Sequence, residues 1–298
     1  MKILLLGRNG RVGWELQRAL APIGELTSLD SDSPAPLRAD FREPESLAAT
    51  VRELRPDVIV NAAGHTGVDK AENEPDLARR LNAEAPAVLA REAAAQGAWL
   101  VHYSTDYVFD GSGNIARAED SPTGPLNVYG RSKLEGEQAI RASGCRHLIL
   151  RTSWVHSARG GNFAKTILRL AQERDRLAVI DDQIGAPTGA ELLADVTAHA
   201  IRAVGESPSL GGTYHLVASG ETSWHGYARH VIEFARAAGA PVKVAADSIA
   251  AVPSSEFPTP AERPKNSRLD TTKLRSSFGL TLPPWQTGVD RMLAELLT

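Results

Sequence analysis

The chain has 298 residues, 42% of them hydrophobic, with 33 basic against 36 acidic side chains for a net charge of −3, which is material for one large or two small buried cores. A near-neutral balance spread along the chain leaves no electrostatic footprint for nucleic acid or an anionic membrane, and no apolar run approaches the ~20 residues a bilayer-crossing helix requires. The single cysteine, Cys145, has no partner for an internal disulfide, and MKILLLG lacks the marks of a secretory leader, so the expected compartment is the cytoplasm.

KILLLG (2–7) is short, apolar and stopped by glycine, as a strand buried on both faces should be. Helical spacing follows in VGWELQRALA (12–21), then a strand in ELTSLD (25–30), a helix in PESLAATVRELR (44–55) and a strand in DVIVNAAG (57–64). The alternation continues through the Ala-rich ARRLNAEAPAVLAREAAAQG (78–97), the strand WLVHYST (99–105), the helix YGRSKLEGEQAIRAS (129–143) and the strand HLILRTSWV (147–155). Strands joined by helices of this length make parallel β-α-β units, so the expected fold is α/β, a doubly wound parallel sheet of Rossmann type. Beyond residue 155 the rhythm loosens. LAVIDDQ and TYHLVA are the clearest later strands, and AVPSSEFPTPAERPKNSR (251–268) reads as a long irregular loop. The expected division is a dinucleotide-binding domain over 1–154, rejoined at about 190–218, and a smaller, discontinuous C-terminal α/β substrate-binding portion within 155–298.

Ligands of such sheets lie beyond the carboxyl ends of the strands. GRNGRVG places Gly7, Gly10 and Gly13 between the first strand and first helix, where glycines permit a tight turn and let amides approach a pyrophosphate. The spacing is G-x-x-G-x-x-G, and a plain structural turn is the alternative. Asp30 ends the second strand, where a carboxylate can accept from the adenosine ribose, as in NADH binding, or stand as a solvated loop acid. Arg8 and Arg11 could instead pair with the 2′-phosphate of NADPH, so limited discrimination between the two cofactors is expected. NAAGHT, ending the third strand, is small enough to leave room for the cofactor.

The fourth strand ends in STDYVFDG (104–111), and YGRSK places Tyr129 and Lys133 at i and i+4 on one helix face. A phenol near pKa 10 becomes a useful acid or base when a neighbouring ammonium stabilises its anion. Lys133 can supply that charge, and Thr105, or its neighbour Ser104, a hydroxyl for the substrate oxygen.

With the glycine loop, this pair resembles the extended short-chain dehydrogenase/reductases. The likeness is sharpest to the dTDP-4-dehydrorhamnose reductase family, through GRVGWELQRAL, RPDVIVNAAGHTGVDKAE, VHYSTDYVFDG, LNVYGRSKLEGE, RTSWV, NFAKTILRLA, DDQIGAPTGAELLAD, YHLV and RPKNSRLDTTKL. The resemblance implies an NADPH- or NADH-dependent oxidoreductase that reduces the 4-keto group of dTDP-6-deoxy-L-lyxo-4-hexulose to dTDP-L-rhamnose, the last step in making that sugar donor. It makes Thr105, Tyr129 and Lys133 the catalytic set. It puts Gly10, Arg11, Val12, Asp30, Asp40, Phe41, Gly64, His65, Thr66 and Tyr103 on the cofactor, with Asp40 and Phe41 at the adenine. Gly64 stands where the family pattern has alanine, and GNIARAEDSPTG (113–124) fits the pattern least. Asp106 and Trp154 fall on the substrate side, and Arg263 and Asn266, in RPKNS, become candidate contacts for the nucleotide sugar. Some members carry Mg²⁺ at a dimer contact, which makes Glu15, Glu191 and Glu295 candidate ligands and a homodimer the expected assembly. The alternatives are a reductase or epimerase of another nucleotide sugar, or a noncatalytic regulatory subunit of the same fold.

Overall fold

The computed structural model describes residues 1–34, 37–245 and 247–297. In chain order it forms β1 (Lys2–Leu6), α1 (Arg11–Leu20), β2 (Glu25–Leu29), α2 (Pro44–Leu54), β3 (Val58–Asn61), the helical pieces α3 (Val68–Asn73), α4 (Pro75–Arg79) and α5 (Ala85–Gln96), β4 (Trp99–Thr105), α6 (Val128–Ala142) and β5 (Arg146–Thr152). Then come β6 (Val155–His156), α7 (Phe163–Glu173), β7 (Leu177–Ile180), β8 (Ile184–Gly185), β9 (Thr188–Gly189), α8 (Ala190–Glu206), β10 (Gly212–His215), β11 (Thr222–Ser223), α9 (Trp224–Ala237), β12 (Ile249–Val252), α10 (Thr272–Phe278) and α11 (Trp285–Leu297).

Six parallel strands make the main sheet in the order β2-β1-β3-β4-β5-β10. Successive side chains of each strand point to opposite faces. Ile3, Leu5, Val58, Val60, Val101, Leu148 and Leu150 therefore pack with α1 and α8, while Leu4, Leu6, Ile59, Leu100 and Ile149 pack with α2, α5 and α6. Helices cover both faces, which is why the strand centres are mostly apolar and why the fold is the doubly wound Rossmann type. The chain leaves β1 for β2 on one side and continues to β3 on the other. That reversal opens a crevice at the carboxyl end of β1, the place where such sheets bind ligands.

The chain re-enters this body twice. β10 extends the sheet beside β5, with Gly212 opposite Leu148 and His215 opposite Arg151, and Leu274 and Phe278 of α10 join the α1–α8 face. A separate core gathers α7, α9 and α11 around the parallel pair β7–β12. The segment read as an irregular loop from 251 begins inside β12, and a short 3₁₀ turn at Ser254–Glu256 and a single bridge from Asn266 to Ile184 interrupt the remainder before 268. The Ala-rich stretch expected as one helix is interrupted too: Arg80–Glu84 forms a π-turn between α4 and α5, an irregularity often found beside functional sites. Among the described residues no helix is long and apolar enough to cross a membrane.

Candidate active site

The carboxyl ends of the strands open into a cleft of about 500 Å³. Its floor is the glycine loop. Gly7 has φ +89°, and a Cβ there would come within 2.8 Å of the Ala62 carbonyl carbon and the Ala63 nitrogen. A Cβ on Gly13 would drive into the carbonyl oxygen of Gly7. Both positions therefore require glycine to bring loop, helix and β3 together. Gly10 donates its N–H to Gly7 O at 3.1 Å and precedes α1 in extended conformation, so the first-turn amides of α1 are available to an anion. Gly7, Gly10, Arg11 and Val12 line the cleft, and Gly13 lies beneath it.

Asp30 lines the same cleft. Its carboxylate is fixed by the N–H of Asn9 on Oδ2 (2.9 Å) and the N–H of Ser31 on Oδ1 (2.7 Å). The two arginines expected to compete with it are otherwise engaged. Arg8 pairs with Asp32 at 3.2 Å, and Arg11 crosses the cleft mouth to donate to the carbonyls of Val155 (2.9 Å) and Gly161 (3.4 Å). Gly64, His65 and Thr66 line the opposite wall. His65 is locked by Asn82, whose Oδ1 accepts the His65 N–H at 2.8 Å while its Nδ2 donates to the His65 carbonyl at 3.0 Å. A Cβ on Gly64 would sit 2.8 Å from Asn82 Oδ1, so glycine there accommodates the π-turn asparagine. Asp40 and Phe41 are not brought to this lining: Asp40 is held by Arg42 at 2.7 Å, and Phe41 is buried in the core beneath the sheet.

Tyr129, in the first turn of α6, and Lys133, one turn on, both line the cleft beside Tyr103 and Ser104. Asn127 caps the helix, accepting the Gly130 N–H at 2.8 Å, which fixes where Tyr129 enters. Tyr129 stacks edge-on against Tyr107, ring centroids 5.5 Å apart. Burial pushes the Tyr129 phenol up to about 12, against a hydrogen bond with Thr105 and the charge of Arg11, while Asp106 adds to the rise. Thr105 donates to Asp106 Oδ1 at 3.1 Å and accepts the Tyr107 N–H at 3.1 Å. Lys133 is 6% exposed. Its amine donates to the Tyr103 carbonyl at 2.5 Å and lies 3.2 Å from His102 Nε2. Burial lowers it to about 8, against the opposing pull of Glu137. Here the structure differs from the simple reading of the motif. The groups that pull the Tyr129 proton affinity down are Thr105 and Arg11, and Lys133 is anchored on β4. Tyr103 likewise turns its hydroxyl away from the cleft to Thr197, at 2.6 Å.

Of the residues expected on the substrate side, Asp106 is 2% exposed and burial raises it to about 6. Trp154, between β5 and β6, has φ +48°, a left-handed conformation that a bulky residue rarely adopts outside functional sites. Its ring stacks on Trp224 at 3.6 Å. Trp224 lines a second, larger groove of about 900 Å³ together with Leu126, Phe163, Gln183, Phe257 and Arg263. Arg263 commits its guanidinium fork to Asp69 (2.7 and 3.0 Å), tying the Pro-rich segment to α3. Asn266, 2% exposed, donates to the carbonyls of Ser112 and Ile115. Both thus organise the groove wall. Glu15 and Glu191 are near enough that Glu15 raises Glu191, after burial as the main cause, but the described residues contain no group of three His, Cys, Asp or Glu placed to hold a metal ion.

Four further residues support the expected ones: Asn82 holds His65, Trp224 stacks on Trp154, and Asn61 bonds His102, which faces Lys133. Asn61 and His102 could have been noticed as the polar members of VIVN and WLVHYST, where buried polar groups must be hydrogen-bonded. Asn82 and Trp224 carry no such mark.

The family model described as RmlD substrate binding domain matches residues 1–298. A dTDP-4-dehydrorhamnose reductase of Shigella flexneri is 57% identical over 298 residues, covering 100% of this chain and 99% of its own length. Among solved structures, a dTDP-4-dehydrorhamnose reductase of Clostridium acetobutylicum matches with a TM-score of 0.89 at 34% identity, covering 100% of both chains. One from Bacillus anthracis, in complex with NADP, matches with a TM-score of 0.86 at 34% identity, over 99% of this chain and 100% of that one. Matched from end to end by the family model and by relatives of the same length, the chain belongs to the RmlD family of dTDP-4-dehydrorhamnose reductases.

Proposed function

We propose that the chain catalyses the NAD(P)H-dependent reduction of the 4-keto group of dTDP-6-deoxy-L-lyxo-4-hexulose, giving dTDP-L-rhamnose. The observation that carries this reading is the buried Thr105–Tyr129 hydroxyl pair, with Tyr129 and Lys133 both lining the glycine-floored cleft. The cofactor is placed in the six-stranded body and the nucleotide sugar in the groove walled by α7, α9 and the Pro-rich segment. Reduced nicotinamide, when bound, supplies the hydride. Tyr129, fully protonated at neutral pH, gives its proton to the C4 oxygen as negative charge gathers there. Thr105 holds that oxygen, Thr105 and Arg11 ease the phenolate left behind, and the charged amine of Lys133 serves the nicotinamide ribose in the same cleft. The test is the loss of reduced-nicotinamide absorbance when the 4-keto sugar is added. Oxidation matched by dTDP-rhamnose supports the reading, and bound cofactor that is never oxidised overturns it.

Asp30 sets the cofactor preference in this reading, because its fixed carboxylate accepts from the adenosine ribose and repels a 2′-phosphate. Asp30→Ala is therefore expected to move the kcat/KM ratio towards NADPH by about tenfold or more, the scale of one charge-assisted hydrogen bond. An unchanged ratio would place Asp30 away from the ribose. A Mg²⁺ ion on Glu15, Glu191 and Glu295 would need carboxylates gathered from a second copy of the chain. The expected homodimer should then lose mass in sedimentation on adding EDTA, and a dimer indifferent to EDTA removes the ion from the account.

A further inference from the structure

Asn61, the last residue of β3, and His102, in the middle of β4, lie side by side near Lys133, 1% and 0% exposed, and their hydrogen bonds have a readable direction. Asn61 Oδ1 accepts the N–H of Ala63 at 3.0 Å, which fixes which end of the amide is oxygen. The other end, Nδ2, can only donate, and it lies 3.0 Å from His102 Nδ1. Nδ1 must then present a lone pair, so the ring proton sits on Nε2. That N–H faces Lys133 Nζ at 3.2 Å. A neutral amine has a lone pair to accept it, whereas an ammonium has none and sets two donors against each other. Moving the ring proton to Nδ1 would satisfy an ammonium only by opposing the Asn61 amide.

From this geometry we infer that Asn61 and His102 are positioning residues that hold down the proton affinity of Lys133 by turning an N–H, rather than a lone pair, towards its amine. The inference rests on the proposed role of Lys133 for its catalytic meaning, but not for its chemistry. The other groups facing Lys133 do not supply the same effect. On α6, Glu137 favours its charge but is itself committed to Arg151 of β5 (2.7 Å) and to Arg141 (3.0 Å). Tyr129 lies one turn back on the same helix. β4 contributes the Tyr103 carbonyl, and Arg11 and Asp106 act on Tyr129. Burial and the lysine charge keep His102 well below its ordinary value, so the ring is neutral at working pH and its tautomer decides the contact.

The sign follows. Lys133 carries its charge below its pKa and loses it above, so turnover falls as pH rises through that value. Removing the Asn61 N–H frees His102 to offer Nε2 as an acceptor and moves the fall upward. Asn61→Leu does this without adding charge, and Asn61→Asp also draws the ring proton to Nδ1. The test is 15N NMR of the full chain labelled in histidine and lysine, with the pH profile of kcat for each variant. The expected results are a protonated Nε2 on His102 in the wild type and a titration of Lys133 shifted upward by about one pH unit, tenfold in proton affinity, in both variants. A protonated Nδ1 in the wild type overturns the inference without any variant. So does a folded variant that loses rate while its Lys133 titration stays in place, the behaviour of a merely structural role. Wild-type protein that shows the Nε2 tautomer but never oxidises cofactor would defeat the reductase reading and leave the tautomer assignment standing.

Discussion

Tyr129→Phe should lower kcat by about 100- to 10,000-fold, the range over which a positioned general acid acts, while cofactor affinity stays close to wild type. The phenol is the proton store of the site: held near 12, it does not ionise at neutral pH, whereas the Lys133 ammonium, though the stronger acid, is turned to the Tyr103 carbonyl on β4. Asp106 is nearby and raised only to about 6, so it is ionised at neutral pH. Phe keeps the edge-on contact with Tyr107 and the α6 packing, so the loss should fall on chemistry and not on folding or dinucleotide binding. Steady-state rates with fluorescence titration of the cofactor separate the two. A variant that turns over at the wild-type rate would remove Tyr129 as the acid.

The second large effect concerns stability. Arg151→Met is expected to cost about 3–5 kcal/mol of unfolding free energy, because it strips a partner from a fully buried carboxylate. Glu137 is 0% exposed, accepting from Arg151 Nε at 2.8 Å and Nη2 at 2.7 Å. Burial would raise this carboxyl, but the hydrogen bond and charge of Arg151, together with hydrogen bonds from Ser104 and Arg141, leave it below its usual value. A depressed carboxyl contributes stability above its unfolded value, near 4.3, and loses it as pH falls through the folded value. The variant should therefore lose most at neutral pH and least in acid. Urea unfolding at the two pH values measures this, and a uniform loss would show that Glu137 is not what Arg151 supports.

The first half of the fold was legible because both faces of its sheet are covered. Runs such as KILLL and VIV, punctuated by glycine and separated by helical spacing, have no other stable arrangement. Gly7 and Gly13 were legible for a related reason, since their neighbours leave no room for a side chain. The later half was less so. α10 joins the first core from 270 residues down the chain, and β12 pairs with β7 across some seventy residues. Such pairings are set by tertiary packing and leave little trace in local periodicity. Within the site, the spacing of Tyr129 and Lys133 told their helix face but not the lysine's partners, which lie on β4. Arg263 looked like a diphosphate ligand by residue type, yet Asp69, 194 positions away, takes its fork. Charge and geometry suited either use, and only the fold decides between them.

The most direct measurement is the fate of deuterium carried on C4 of the reduced nicotinamide during turnover of the 4-keto sugar. One equivalent of oxidised cofactor and dTDP-rhamnose bearing deuterium at C4, read by mass and NMR, are expected. A product without deuterium, or a sugar changed in configuration with no net oxidation of cofactor, would contradict the reductase reading and mark the chain as an epimerase on the same fold.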